Sequence, residues 1–179
     1  MLIQKPSLQF KIGDAVMHAG HGSGRIVAIE EKQLPGRESR LFYVVSIDKS
    51  TIWVPIGLNQ APNLRLLVSN SGLIHCRVLL KDRPAPLNAN RQQRGRDRIH
   101  SLRGDSFEIS CEALRDLTAH GWLKPLSEAD TSVLRKIHEA VCQEWATAQG
   151  VPLSEAAREI TALLQEGHQA YKADTTQRA

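Results

Sequence analysis

The hydrophobic pattern of this chain changes once, near residue 70, and that change limits the possible folds. Before it, β-branched and aromatic runs alternate with a period of two between turns rich in glycine and proline, as is typical of strands. After it, apolar residues recur at helical spacing. A chain of 179 residues can form one domain or two small ones. We therefore predict an α+β protein with a β module over residues 1–68 and an all-α module over 71–173.

The β module is predicted to contain about five short strands joined by tight turns. The clearest runs are those near Ala15–Met17 and over residues 25–31, 41–47 and 51–56, and residues 59–72 are predicted to be an exit loop. This arrangement is typical of a small, strongly bent Tudor- or SH3-like β-barrel. Such a module is too small for an internal catalytic pocket and offers edge strands and an outer face for binding.

Alternation within the strands predicts which side chains face outward. In residues 25–31 it places Ile26, Ala28 and Glu30 on one side and Val27, Ile29 and Glu31 on the other. In residues 51–55 it directs Ile52 and Val54 inward and Trp53 outward. An exposed tryptophan on an edge strand indicates a protein contact. The alternative is that Trp53 packs under the helical half.

Capping residues and helix breakers predict five helices. Their expected ranges are 71–81 with Ser71 as the cap, a helix from Asn88 or Asn90 to Leu102, 106–121 ended by Gly121, 127–148 with a Ser127/Asp130 capping box, and 153–171. The first helix is expected to present Leu73, Ile74, Val78 and Leu79 as its apolar positions. Residues 172–179 are expected to be disordered.

Six arginines fall within residues 83–105, which we call the arginine segment: Arg83, Arg91, Arg94, Arg96, Arg98 and Arg103. Residues 71–104 contain 8 basic and 2 acidic residues, a net charge of +6, whereas residues 105–179 contain 7 and 12, a net charge of −5. This imbalance indicates a polyanion-binding face; the alternative is a solvated helix face. Arg91, Arg94 and Arg98 share one side of a helix, and Ile99 and Leu102 are expected to anchor the other.

No residues in the sequence combine into a recognisable catalytic or metal site. The glycine-rich run Gly20–Gly24 precedes a strand, so it predicts a tight turn and not a phosphate loop. The neighbouring His18 and His21 have no further ligand close in sequence. We expect neither enzymatic activity nor a cofactor.

The cysteines and the apolar runs indicate where the protein resides. The three cysteines, Cys76, Cys111 and Cys142, are odd in number and widely spaced, which is typical of core residues in a reducing cytosol. No run approaches transmembrane length, and the N-terminus lacks the apolar region of a signal peptide. We therefore expect a cytoplasmic protein.

Three groups of residues resemble a known family. The first is F-x-I-G-D-x-V-x-x-x-x-H-G-x-G-x-I-x-x-I-E from Phe10 to Glu30, the second is Val54-Pro55 before Leu64-Arg65, and the third is Gly104-Asp105 before the L-R-D-L of Leu114–Leu117. Over residues 8–166 the chain resembles the CarD/CdnL family of bacterial transcription regulators. A similar N-terminal module occurs in the transcription–repair coupling factor, a translocase whose helicase motifs are absent from this sequence.

The resemblance implies two partners. In this family the Tudor-like module binds the β subunit of RNA polymerase by adding a strand edge, and the helical domain binds promoter DNA at the upstream edge of the bubble, which stabilises the open complex. Polymerase contact falls on Lys32 and Trp53, where many relatives have arginine, with Thr51 and Pro55 on the same strand face as Trp53. A monomer associated with the nucleoid is expected.

The residues implied to bind DNA depart from the family pattern. The family's signature tryptophan, which wedges into the minor groove, falls at Asn90, and asparagine supplies no stacking surface. The implied DNA-binding residues are Arg83, Asn90, Arg91, Arg94, Arg96 and Arg98. The alternative is a divergent scaffold that binds a protein or RNA partner without engaging promoter DNA.

Overall fold

The computed structural model describes residues 8–33, 39–57, 63–103 and 106–177; at Arg91, Arg98, 101–103 and 173–177 it describes the backbone only. The chain forms two compact units, Met1–Leu67 and Val68–Ala179. The first consists of strands and the second of helices, so the α+β class predicted from the sequence is observed.

The first unit is a five-stranded antiparallel sheet with the strand order β4-β3-β2-β1-β5. The strands are β1 Ala15–His18, β2 Gly22–Lys32, β3 Arg40–Ile47, β4 Ser50–Pro55 and β5 Leu64–Leu66. Within the described ranges, no pairing joins β4 to β5. The small β module is thus observed, but the predicted β-barrel is not closed: in the described residues the sheet has β4 and β5 as its edges.

A β-bulge in β2 changes which side chains face the core. The register with β3 shifts between Ile26 and Ala28, so Val27 is an extra residue and the inward–outward alternation reverses after it. Both Ile26 and Ile29 consequently pack in the core of the sheet unit, although simple alternation placed them on opposite sides. The same reversal turns Glu30 outward.

Strand β5 lies within residues 59–72, which were predicted to be a loop. Its three residues pair with β1, where Val16 opposes Leu66 and His18 opposes Leu64. So short an apolar run has no periodicity of its own, and only its pairing with a distant strand makes it β-structure. Residues 59–62 of the same segment lie outside the described residues.

The described residues of the second unit form five helices, as predicted: α1 Asn70–Lys81, α2 Arg91–Arg103, α3 Phe107–Leu123, α4 Glu128–Gln149 and α5 Leu153–Gln177. Ser127 caps α4, as predicted: its Oγ atom accepts the Asp130 N–H at 3.1 Å and donates to Oδ2 of Asp130 at 2.6 Å. Three boundaries differ from the predictions: Ser69 and not Ser71 caps α1, α3 continues past Gly121, and α5 extends to Gln177 where disorder was expected. None of these described helices is long and apolar enough to cross a membrane.

The inward face of α1 is not the one predicted. Leu73, Cys76 and Leu80 are buried, whereas Ile74 and Val78 are 63% and 60% exposed. Both sets contain residues three or four positions apart, so helical spacing alone does not decide which set is buried. Packing against α3 and α5 selects the face on which the smaller Cys76 lies.

A polar network links three helices at the edge of the core of the helical unit. Trp145 of α4 is fully buried, and its Nε1 donates a hydrogen bond of 2.9 Å to Oε2 of Glu159 on α5. Arg77 of α1 donates to Oε1 of the same carboxylate at 2.6 Å. The indole N–H is thus paired at the edge of an apolar core, where leaving it unpaired would cost about 1–3 kcal/mol.

We predict that Gly167→Ala destabilises the helical unit. A Cβ atom at position 167 of α5 would lie 2.7 Å from the carbonyl oxygen and 2.8 Å from the Cα of Lys81, so the backbone at the end of α1 would have to move. We expect a loss of about 1–3 kcal/mol in the free energy of unfolding, measured by urea denaturation followed by helical circular dichroism.

The matched control is Gly95→Ala, the same substitution in α2, where a new Cβ meets no atom within 4 Å. Because alanine favours helix over glycine, this variant should be unchanged or gain up to about 1 kcal/mol. Equal stability of the two variants would show that Gly167 is not required for the contact between α1 and α5.

Candidate functional site

Trp53 lies on the outer face of the sheet, as the strand alternation predicted. Its side chain is 44% exposed, whereas the following Val54 is buried in the core and Ile52 packs against it. Trp53 opposes Val44 of β3, and Val44 opposes Ala28 of β2. Paired residues in adjacent strands project to the same face. The outward positions of β2 after the bulge therefore lie on the same face as the indole.

Lys32, Glu30 and Trp53 are in direct contact on this face, and we call them the Trp53 cluster. The Lys32 Nζ atom is 3.6 Å from the centroid of the Trp53 ring and 3.7 Å from Oε2 of Glu30. The Trp53 Nε1 atom donates a 3.0 Å hydrogen bond to the same oxygen of Glu30. Cation–π and ion-pair contacts at such exposure contribute at most about 1 kcal/mol each. Their main effect is to fix the orientation of the indole and the ammonium group.

Strand β4 is an open edge beside this cluster. The Ile56 N–H donates to the Leu41 carbonyl at 2.9 Å, and hydrogen-bonded pairs alternate along an antiparallel ladder. The backbone groups of Thr51, Trp53 and Pro55 therefore point away from β3. Pro55 has no N–H, which is tolerated at an edge. The carbonyl groups of Thr51, Trp53 and Pro55 can accept hydrogen bonds from another strand, and the N–H groups of Thr51 and Trp53 can donate them.

The structure thus brings together the four residues predicted for polymerase contact: Lys32 and Trp53 touch, and Thr51 and Pro55 follow the same edge. Glu30 was missed as a member of the site, because alternation without the bulge placed it on the same side as the inward Ile26. The sequence did contain one signal: Glu30 lies two residues before Lys32 on the same strand, so their side chains point to the same face.

Asn90, at the position of the family's tryptophan, acts as the cap of α2. Its Oδ1 atom accepts hydrogen bonds from the backbone N–H groups of Gln92 at 2.9 Å and Gln93 at 3.2 Å. Its carbonyl accepts the first helical bond, from the Arg94 N–H. The Asn90 side chain therefore satisfies two donors that would otherwise be unpaired at the helix start.

Two of the predicted DNA-binding arginines are exposed. Arg96 lies on α2, where its Nε and Nη2 atoms donate to Oε1 of Gln93 at 3.1 and 2.6 Å. Arg83 precedes α2, with its guanidinium carbon 5.4 Å from the ring centroid of Tyr171 on α5. The connecting loop is fixed by the Ala85 N–H, which donates to Oδ1 of Asp116 at 2.9 Å. The side chains of Arg91 and Arg98 lie outside the described residues.

Arg94 faces the protein instead of the solvent. It is half-buried and lines a cavity of about 320 Å³ between α2, α3 and α4, whose other lining residues include Asp97, Glu112, Asp116 and Asp130. Its Nε atom is enclosed and has no hydrogen-bond partner among the described residues. An arginine in this position is less available to a phosphate than Arg96.

The way in which α2 packs differs from the prediction. Ile99, which was expected to anchor the helix, is 57% exposed, whereas Arg94 on the arginine-bearing side is turned toward α3 and α4. No residue of α2 whose side chain is described is buried. Sequence periodicity assumes that apolar residues face inward, and α2 has too few of them to set its orientation.

The described part of the chain contains no group of three or more histidine, cysteine or carboxylate residues arranged to hold a metal ion. Cys76, Cys111 and Cys142 are buried free thiols. A side-chain hydrogen bond with Cys76 that favours the protonated thiol, followed by burial, raises the pKa of Cys111, so its reactive thiolate is disfavoured.

We predict that Asn90→Ala loosens the start of α2, because it removes the acceptor of two backbone N–H groups. The expected loss is about 1 kcal/mol of local stability, seen as faster hydrogen exchange at the amides of Gln92 and Gln93. Asn90→Asp retains the acceptor and is the matched control. Unchanged exchange in the alanine variant would contradict the capping role.

Comparison with known proteins finds a family model that matches the part of the chain that forms the sheet. Residues 10–66 match the family model of the CarD-like/TRCF RID domain. The chain is also 25% identical over 144 residues to the protein named "Putative transcription factor YdeB" from Bacillus subtilis (strain 168), an alignment that covers 79% of this chain and 94% of that protein. The matched residues run from the buried Phe10 to the last residue of β5 and so span the described sheet. The sheet unit of this chain is therefore similar to the CarD-like/TRCF RID domain, in agreement with the resemblance of the sequence to the CarD/CdnL regulators.

Proposed function

We propose that this protein is a transcription regulator that binds the RNA polymerase β subunit through its sheet unit and promoter DNA through its helical unit. By doing so it changes the stability of the open complex. The observation that supports this most directly is the Trp53 cluster beside the open β4 edge, within the part of the chain that is similar to the CarD-like/TRCF RID domain.

Polymerase docking uses the backbone and the side chains of β4 together. Adding a partner strand at this edge pairs the outward backbone groups of Thr51, Trp53 and Pro55, which supplies affinity. The ordered indole and the Lys32 ammonium group beside it supply specificity, since a partner must offer an apolar surface near a carboxylate or carbonyl oxygen. This chemistry replaces the paired arginines of many relatives.

DNA binding uses phosphate contacts. Arg83, in the stretch that joins α1 to α2, and Arg96, on α2, are both exposed in a region of net charge +6. Asparagine at position 90 offers no apolar wedge, and its Oδ1 atom is already occupied at the helix start. The expected mode is salt-dependent attraction without unstacking of a base step.

We predict that Thr51→Pro weakens binding to the RNA polymerase β subunit about tenfold. The lost N–H points away from β3, so the native ladder is retained while the partner strand loses a donor and meets the proline ring. Thr51→Ala, which keeps the N–H, should bind like the wild type. Binding of the full chain to core polymerase is measured by biolayer interferometry.

Two results would contradict polymerase docking at this edge. One is that the wild-type chain fails to bind core polymerase, and the other is that Thr51→Pro and Thr51→Ala bind equally well. Unchanged secondary structure in both variants, seen by circular dichroism, ensures that a loss reflects the edge and not unfolding.

For DNA, we predict that Arg96→Ala lowers the slope of log K against log salt by about one unit on an upstream-fork promoter fragment, with a similar loss at unrelated sequences. Arg158→Ala, which removes an exposed arginine from α5, should leave the slope unchanged. Fluorescence anisotropy across a salt series gives both values. If the wild-type chain shows no salt-dependent binding, the scaffold alternative replaces promoter contact.

A further inference from the structure

A second surface of the helical unit has the features of a docking site. A groove of about 430 Å³ lies between α3, α4 and α5, and we call it the Trp122 groove. Leu134 and Leu164 contribute its apolar lining, Trp122 stands at one end, and Arg135 and His138 lie along α4. It is distinct from the cavity beside α2, because different residues of α3 line the two.

Trp122 is exposed yet held in place. Its side chain is 42% exposed, and its ring contacts that of His168 of α5, with the centroids 4.1 Å apart and the ring planes tilted by 43°. Burial and then the charge of Lys172 lower the pKa of His168, which favours the neutral imidazole. The next residue, Leu123, is 74% exposed. Large apolar side chains grouped at a surface are typical of interaction sites.

The charge of the groove differs from that of its surroundings. Residues 105–179 contain 12 acidic and 7 basic residues, yet neither aspartate nor glutamate occurs among the described residues that line the groove. Arg135 is exposed and forms no ion pair with another described residue. The groove is therefore a positive site within the acidic stretch of residues 105–179, and it complements a negatively charged ligand.

We propose that the Trp122 groove binds an acidic peptide segment of a protein partner. A large apolar side chain of that segment packs against Leu134, Leu164 and Trp122, and its carboxylates face Arg135. Protein fits this surface better than nucleic acid does, since a phosphate backbone needs a row of cations and Arg135 is the one arginine among the described lining residues. The proposal does not depend on polymerase or promoter binding.

The test uses the full chain and a fluorescein-labelled synthetic peptide of about 16 residues, with leucine at every third or fourth position and glutamate elsewhere. Anisotropy measures its dissociation constant. We expect Arg135→Glu to weaken binding at least about tenfold. Lys136→Glu makes the same charge change at the next exposed residue of α4, which is not a lining residue, and should alter binding less than about twofold.

Trp122→Ala tests the apolar part of the site and should also weaken binding about tenfold. A peptide with lysine in place of glutamate should not bind. Circular dichroism confirms that each variant remains helical. The proposal is overturned if the acidic peptide shows no saturable binding up to about 1 mM, a very weak affinity, or if Arg135→Glu and Lys136→Glu have equal effects. It is also overturned if a DNA or RNA oligonucleotide binds more tightly than the peptide with the same dependence on Arg135.

Discussion

The β-bulge at Val27 is the constraint on which the proposed protein-binding face depends. One extra residue allows Ile26 and Ile29 to fill the same core while Glu30 and Lys32 project to the opposite face. Only with that reversal does Lys32 of β2 reach the ring of Trp53 on β4, across the intervening strand β3. A regular strand would turn both charged side chains toward the core, where burial without compensation is costly.

The helical unit consists of a tightly packed body and a polar helix, α2, at its surface. Buried Trp145, paired with Glu159, ties α1, α4 and α5 together, whereas α2 has no buried side chain among those described. What holds α2 is its cap at Asn90 and the half-buried Arg94. Elements with little buried apolar surface open at low free-energy cost, so α2 is suited to adjust to a polyanion.

Charge and apolar surface are distributed differently at the three candidate sites. The Trp53 cluster pairs one cation with one carboxylate beside an aromatic ring. The arginine segment concentrates positive charge on a helix with few apolar residues, and the Trp122 groove combines an apolar lining with Arg135, which forms no ion pair with another described residue. These combinations suit, in order, a strand edge of another protein, a phosphate backbone and an acidic peptide.

The sequence by itself determined the α+β class, the outward direction of Trp53 and the Ser127 cap of α4, because each depends on local periodicity or on residues three apart. Tertiary structure decided the rest. The open sheet, the bulge, strand β5 and the inward face of α1 depend on pairing or packing with distant residues. Periodicity could not predict the orientation of α2. The helix has few apolar residues, and the half-buried Arg94 and not Ile99 faces α3 and α4. The groove at Trp122 exists only where three helices meet, and no single stretch of sequence encodes it.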